Sequence, residues 1–277
     1  MNAPVTLARV PVALGPVAET LLVPLWARAE ESRRPDGVLR DRMAGEIVRQ
    51  LDYDFDKLRA AQASQLGCCV RAALVDGWVR DFLAEHPEGT VVELGVGLNS
   101  RSVRLDNGRA RWIDVDLPEV MALRGRFFAS DARRTLLGAS ITDAALYDTL
   151  RSQVRGPCLV LSEGVLVYLQ ALEVRAVFVR LAEALPGAGF VFDAMTPPVL
   201  WFQGGHDAMR HFASRFTWSV SHPRAVEGYA RGVRIERSRR FYDLLYAHPQ
   251  RLPAWMRAAG PVVSRLWPAV RESYTLH

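Results

Sequence analysis

The sequence predicts an α/β fold: a doubly wound, mostly parallel sheet with an N-terminal helical cap and a lid inserted between late strands. Three observations carry this. Short apolar, strand-like runs alternate with segments of helical period from Thr90 to Met195. The first run, "TVVELG", opens into a glycine loop, as the leading strand of such sheets does. Beyond Met195 the rhythm breaks into an aromatic-rich stretch that precedes the last elements. With 277 residues, 49% of them hydrophobic, the chain can bury one large core, so a single domain over 1–277 is expected.

Within that domain we expect a helical arm or cap over 1–63, a core over 64–195, a lid over 196–230, and final strands and a helix over 231–277. The stretch "VPVALGPVAETLLVPLW" is apolar, but Pro11, Pro16, Glu19 and Pro24 interrupt it and no basic segment precedes it. A structured arm is expected there, not a signal or membrane anchor. From Val38 to Leu51, Met43, Ile47, Val48 and Leu51 fall at helical spacing, with Asp41 near the start. In the next helix, Ser64 to Leu83, Leu74, Val75, Trp78 and Phe82 form one stripe at about 100° per residue. Arg71 interrupts that stripe. A guanidinium on an apolar face needs an anionic partner or a route to water, and a structural acid meets that need as well as a ligand does.

After "TVVELG" come a loop from Gly95 to Asn99, the short helical turn "SRSVRL", and a second strand from Arg109 to Leu117. A helix follows in "PEVMALRGRFF", with Pro118 at a tolerated first-turn position. The third strand is expected around Leu136 to Ile141, and the fourth in "PCLVLSEGVLVYL", running into a loop and helix. Val174, Val177, Phe178, Leu181 and Leu185 space a helix that Gly187 and Gly189 end before the strand "FVFDAM". The lid carries Trp201, Phe202, His206, His211, Phe212 and Trp218, which suits the wall of an organic-ligand site, with extra core as the alternative. The alternating run "GVRIERSRRFYDLL" reads as a late strand.

A formal charge of +5 and a pI near 9.4 raise the question of an anionic partner. Lys57 is the sole lysine, and the arginines are scattered among acids, so no nucleic-acid partner is expected. Cys68, Cys69 and Cys158 show no metal-ligand spacing, and adjacent Cys68 and Cys69 would not form an ordinary disulfide. No metal is expected, nor a membrane partner, and a reducing cytoplasmic setting fits.

The glycine loop narrows the ligand. Gly95 and Gly97 let backbone approach closely, but Ser100 stands where a dinucleotide fingerprint has its third glycine. Asp116, at the end of the second strand, is placed to accept hydrogen bonds from ribose hydroxyls. Asp114 alternates with it and should face the other way. A glycine loop and a ribose acid without a phosphate-binding helix fit a nucleoside with an unphosphorylated tail, such as S-adenosylmethionine.

"VVELGVGLNSR", "DVDLPEVMALR" and "SEGVLVYL" together resemble the leucine carboxyl methyltransferase family, in particular its bacterial branch of tetracenomycin-type polyketide O-methyltransferases. "LWARAEESRRPDGVLRDRMAGEIVRQLDYDF" resembles that branch too, extending the likeness from about Leu21 to Asp193. The resemblance implies a Rossmann-like methyltransferase fold with S-adenosylmethionine as cofactor. It implies that Arg71 grips the cofactor's carboxylate tail, with Arg28 near the same tail. Gly95 and Gly97 would approach the cofactor, Asp116 hold its ribose, Ser140 and Ile141 frame the adenine, and Glu163 stand beside the sulfonium. An acid usual near the adenine is absent there, Asp143 being the nearest. Tyr168 falls where the family has a tyrosine near the acceptor. Glu93 is read as holding the loop, with a cofactor contact as the other possibility, and Asn99 and Ser100 as a small polar helix cap replacing the family's Asp-Thr.

The function expected is O-methylation of a carboxylate or hydroxyl on a small organic acceptor, polyketide-like in class. A carboxylate acceptor arrives ionised and needs no base, whereas a phenol or alcohol would benefit from one, for which His206 and His211 are the candidates. Two alternatives stand beside this: a protein that binds S-adenosylmethionine without methylating, and a nicotinamide-dependent oxidoreductase, which would want the missing third glycine.

Overall fold

The computed structural model describes residues 9–277; residues 1–8, the start of the expected arm, lie outside them. The arm opens with a two-residue strand, β1 (Val10–Pro11), then α1 (Pro16–Glu19) and α2 (Leu22–Ser32). Next come α3 (Arg42–Gln50) and β2 (Leu51–Asp52), which pairs in parallel with β1. Asp41 caps α3, its Oδ1 accepting the Ala44 N–H at 3.0 Å. Leu22, Leu25, Ile47 and Leu51 pack against Leu98, Leu123 and Phe128 of the core, so the arm lies over the glycine loop and is part of the same body.

The long helix α4 (Gln62–Glu85) leads into the sheet. Strands and helices then alternate: β3 (Thr90–Leu94), α5 (Arg101–Leu105), β4 (Arg111–Asp116), α6 (Pro118–Arg124), β5 (Arg134–Gly138) and α7 (Ala144–Gln153). They continue as β6 (Cys158–Ser162), α8 (Ala171–Ala184), β7 (Gly189–Met195) and the short helix α9 (Pro197–Trp201). The chain ends with β8 (Arg239–Arg240), α10 (Phe241–Tyr246), α11 (Ala254–Leu266) and β9 (Tyr274–Leu276).

The main sheet has the order β5-β4-β3-β6-β7-β9-β8. Its first five strands are parallel, and β9 runs antiparallel between β7 and β8. All five residues of β3 and of β6 are buried, as central strands covered on both faces must be, which is why both read as unbroken apolar runs. Strand order reverses between β3 and β6, so the crevice at their carboxyl ends is where a ligand is expected. Among the described residues no helix is long and apolar enough to cross a membrane.

Three elements differ from expectation. The third strand starts at Arg134 and ends at Gly138, leaving Ser140 and Ile141 in the loop above it. The run from Gly232 to Leu245 is not one strand. Only Arg239 and Arg240 pair, because β9 offers them just two partners, and Phe241, Leu244 and Leu245 then turn helical to pack on α4 and its neighbours. The aromatic residues of the segment expected to form a lid divide: Phe212 and Trp218 are core, while Trp201 and Phe202 stand in solvent.

Candidate active site

Local sequence builds the floor of the site. Gly95 and Gly97 have φ of +71° and +53°, a region that costs any residue with a Cβ. The N–H groups of Gly95 and Val96 both donate to Val115 O, at 2.8 and 3.1 Å, folding the loop over β4. A Cβ on Gly95 would also stand 2.3 Å from Val165 Cγ2, so side-chain-free backbone is required twice over. Asp116 accepts the Gly97 N–H at 2.7 Å on one oxygen and the Leu117 N–H at 2.8 Å on the other. Burial pushes its carboxyl up, and those two N–H donors work against that shift. Each oxygen keeps a lone pair for a further donor, since an ionised carboxylate has about four acceptor sites.

Asp114 faces the other way, as the period of two requires, and is buried against Arg124 at 2.6 Å. Arg124 Nη1 donates to Gly97 O and Asn99 O, so this pair clamps the loop from beneath. Asn99 and Ser100 do not cap α5 with their side chains. They tie the loop sideways instead: Asn99 donates to Glu93 at 2.7 Å and Ser100 to Asp41 at 2.5 Å.

Above this floor lies a cavity of about 950 Å³, at the upper end of the roughly 300–1,000 Å³ common for ligand sites. Its wall joins Gly95, Gly97 and Asp116 to Ser140 and Ile141 of the loop after β5, and to Glu163 at the end of β6. Arg28, Arg71 and Glu93 complete the cofactor-side residues expected from the sequence, and Tyr168 and His206 line the cavity as well. Asp143 is an exposed cap, accepting the Ala145 N–H at the start of α7, and it lies outside the wall.

The charged groups form one buried network. Arg71 Nε donates to Glu163 at 2.9 Å, and its Nη1 donates to Tyr274 Oη at 2.6 Å and reaches Asp193 at 3.5 Å. Its stripe anomaly is thus met within the protein by acids from β6 and β7. Nη2 makes no hydrogen bond among the described residues, which leaves Arg71 donors for an anionic group in the cavity. Arg101, fully buried, donates to Asp76 at 2.8 Å and to Glu93 and Glu163 at 2.5 Å each. Burial alone would raise the Glu163 carboxyl, but Arg101 and Arg71 outweigh it and hold the group at about 2. At Glu93 burial, helped by nearby Asp114 and Glu163, prevails over Arg101 and the more distant Arg124, so its carboxyl is raised, with Oε2 buried and unpartnered. Arg28 is engaged by Asp41 at 2.9 Å and Leu98 O at 3.0 Å.

On the far side of the cavity, Tyr168 stacks at an angle on Phe216 and donates to Met209 Sδ at 3.6 Å. Burial pushes its phenol up to about 12. His206 Nδ1 accepts the Met209 N–H at 3.3 Å, and burial lowers the ring's pKa despite nearby Asp207. Its neutral tautomer therefore carries the proton on Nε2. His211 does not share this position. The turn Met209–His211 directs it outward, where it is exposed, accepts from Arg210 and lies outside the cavity wall.

Sequence reading missed Arg101, Asp193, Tyr274 and Asp207. Asp193 had a signal, an acid at the carboxyl end of a strand in a doubly wound sheet. The others depend on contacts across the chain. Asp207, between α9 and the turn at Met209–His211, accepts the N–H groups of Ala63 and Ser64, at 3.0 and 3.2 Å, and the Ser64 hydroxyl. It thereby caps α4, whose own N-cap residue, Ala61, has no side-chain acceptor to offer.

These residues suit a nucleoside-sulfonium ligand: a two-oxygen acceptor at Asp116, unengaged donors on Arg71, an ionised Glu163, and an unpartnered Glu93 oxygen. Comparison with known proteins agrees. A family model described as leucine carboxyl methyltransferase matches residues 22–182. The chain is 36% identical over 221 residues to the tetracenomycin polyketide synthesis O-methyltransferase TcmP of Streptomyces glaucescens, covering 79% of this chain and 81% of that one. It is 30% identical over 290 residues to the S-adenosyl-L-methionine-dependent methyltransferase dpfgK of Gibberella zeae, covering 94% and 97% of the two chains. Among solved structures, a DUF574 family protein of Streptomyces avermitilis superposes with a TM-score of 0.51 at 17% identity, over 78% of this chain and 87% of that one. That likeness concerns the fold.

Proposed function

Since this chain belongs to the leucine carboxyl methyltransferase family and is an S-adenosylmethionine-dependent methyltransferase, we propose that it methylates a carboxylate oxygen of a small, polyketide-like organic acid. The observation that carries the choice of carboxylate is the proton inventory around the acceptor side of the cavity. His206, with Nδ1 taken by the Met209 N–H, offers a donor at Nε2 and no free basic nitrogen. Tyr168, its phenol pushed up to about 12, keeps its proton at any working pH. Asp207 is committed to capping α4, one oxygen accepting the Ala63 and Ser64 N–H groups and the other the Ser64 hydroxyl. Donors without a base suit an acceptor that arrives already ionised.

Bound S-adenosylmethionine supplies a methyl carbon on a sulfonium, which an oxygen nucleophile takes by in-line displacement. In this reading Asp116 holds the ribose hydroxyls, Arg71 Nη2 the tail carboxylate, and Ser140 and Ile141 flank the base. Glu163, kept ionised by Arg101 and Arg71, faces the positive sulfonium. Glu93 acts through the loop, holding Asn99 and Arg101. His206 orients one acceptor oxygen by donating from Nε2, the Tyr168 hydroxyl turns from the weak Met209 thioether acceptor to donate to the other, and no proton changes hands in the transfer. The whole of 1–277 works as one domain in this proposal, the lid over 196–230 choosing the acceptor. The polyketide-like class rests on the 36% identical relative.

The test is a pH–rate profile with radiolabelled methyl donor and a panel of aromatic carboxylic acids and phenols. A carboxylate acceptor gives a base-labile ester and a rate nearly flat from about pH 6 to 9, because its acid titrates near 4. A stable methyl ether, with an acid limb on kcat that vanishes in His206→Ala, would refute the carboxylate assignment and leave methyl transfer intact.

A further inference from the structure

Helix α11 is built inside out. It packs on the body through Met256, Gly260 and Ser264, which recur every four residues. The Tyr246 hydroxyl donates to Met256 O at 2.9 Å, the Tyr242 hydroxyl meets Ser264 Oγ at 2.9 Å, and a Cβ on Gly260 would fall 1.5 Å from Tyr246 Oη. At about 100° per residue, Trp255, Ala259, Val262 and Leu266 then form a stripe turned away from that contact. The stripe is in solvent: Trp255 is 70% exposed, Val262 57% and Leu266 81%. No residue of α11 is buried. A surface helix ordinarily puts its apolar stripe against the core, so this one is made for something outside the chain.

Its charge says what. From Leu244 to Arg271 the sequence holds no Asp or Glu but four arginines. Arg251 pairs with Glu31 and Arg271 with Asp243, whereas Arg257 and Arg265, both exposed, make no ion pair among the described residues. A second copy would bring the same arginines against these and no acid to meet them. An anionic surface complements them.

The start of α11 also lies at the rim of the cavity, since Pro253, Met256 and the first residue of the stripe, Trp255, are in its wall. The lid turn on the same rim carries Trp201 and Phe202, 75% and 72% exposed, between Val199 and Gly205 of the wall. A lipid interface receives apolar side chains from separate segments without a complementary groove, and tryptophan is favoured at its headgroup level. We propose that α11 and the lid turn dock this protein on an anionic lipid bilayer, with the cavity mouth beside the membrane. This is peripheral docking, and it departs from the expectation of no membrane partner because the outward direction of the stripe is a tertiary fact.

The test is sedimentation of the full chain with vesicles of phosphatidylcholine alone and of equimolar phosphatidylcholine and phosphatidylglycerol, at low and high salt. Binding to the anionic vesicles is expected, weakened by salt and weak on the neutral ones. Arg257→Gln/Arg265→Gln should lower the partition coefficient about 30-fold, at roughly fivefold (about 1 kcal/mol) per arginine near a charged surface. Val262→Glu/Leu266→Glu should abolish binding while leaving the melting temperature nearly unchanged, since both side chains are mostly in solvent. Wild-type protein that stays in the supernatant with both vesicles overturns the proposal. So does a dimer in light scattering that Leu266→Glu dissociates, which would make the stripe a self-association face. Equal binding by wild type and both variants overturns it too. If instead the vesicles bind nothing and an acidic protein is captured through the arginines, the surface is a protein-docking face and the lipid assignment fails.

Discussion

Replacing Arg71 by methionine would make the apolar stripe of α4 continuous, and on the helix alone it looks neutral or stabilising. The tertiary contacts reverse the sign. Arg71 stands between Glu163 and Asp193, both nearly or fully buried. Removing it leaves Glu163 with Arg101 at 2.5 Å, so Glu163 keeps a partner. Asp193 loses the only cation it pairs with among the described residues and retains the Gly164 N–H, at 2.7 Å, and the Tyr274 hydroxyl. Breaking a buried pair costs about 3–5 kcal/mol. Burial already raises the Asp193 carboxyl, so it can relieve the loss by taking a proton, which puts the expectation near the lower figure. About 3 kcal/mol corresponds to a melting point lower by roughly 6–12 °C. The assay is urea unfolding at pH 7 of Arg71→Met and of Arg71→Met/Asp193→Asn, with calorimetric titration of S-adenosylhomocysteine into each. The double variant should regain about 1–2 kcal/mol of stability because its orphaned charge is gone. Neither should regain affinity, which is expected to fall by about 1.5–3 kcal/mol on loss of a charge-assisted bond to the tail carboxylate. A single variant as stable as the parent, or a double variant no better than the single, would refute the account of the network. Normal affinity in a destabilised variant would make Arg71 purely structural.

Asp116→Asn, which retains one carbonyl acceptor for the loop, should weaken S-adenosylhomocysteine binding by about 1.5–3 kcal/mol; unchanged calorimetric affinity in the folded variant would remove Asp116 from the ribose. Asp207→Ala withdraws the cap that the 196–230 segment lends to α4, so stability should drop by about 0.5–2 kcal/mol, and trypsin should cut sooner after Arg210 or Arg215. Unaltered cleavage there would mean that Asp207 does not hold this segment. Glu163, held at about 2 against an ordinary 4.5, stabilises the fold fully above pH 4.5 and loses that contribution as pH falls toward 2, in total about 3 kcal/mol. Over that window the parent should therefore lose urea stability more steeply than Glu163→Gln, and parallel curves would contradict the pairing.

How much of this was legible follows from how far apart the interacting residues are. The glycine loop and Asp116 lie on consecutive strands joined by a short helix, and their relation is set by periods of two and by the need for positive φ at Gly95 and Gly97. The same local rule separated Asp114 from Asp116 correctly. Helices α3, α4 and α8 were visible because their apolar residues recur with the helical period and face a core. Arg71 was visible as an exception to such a period, though its partners were not.

Those partners are Glu163, just past the end of β6, Asp193 on β7 and Tyr274 on β9, which the sheet order alone brings beside α4. Nothing in the spacing of residues along the chain specifies an encounter between Arg71 and Tyr274. The late run from Gly232 to Leu245 alternates as a strand does, yet a strand needs a neighbour to bond, and β9 supplies only a short one. Histidines 206 and 211 look equivalent in sequence; one faces the cavity and the other faces water because the turn at Met209–His211 intervenes. The apolar stripe of α11 makes the same point in reverse. Periodicity determines that Trp255, Val262 and Leu266 share a face, but packing on Tyr246 through Gly260 decides that this face looks outward, since backbone against a ring leaves no room to turn the helix over.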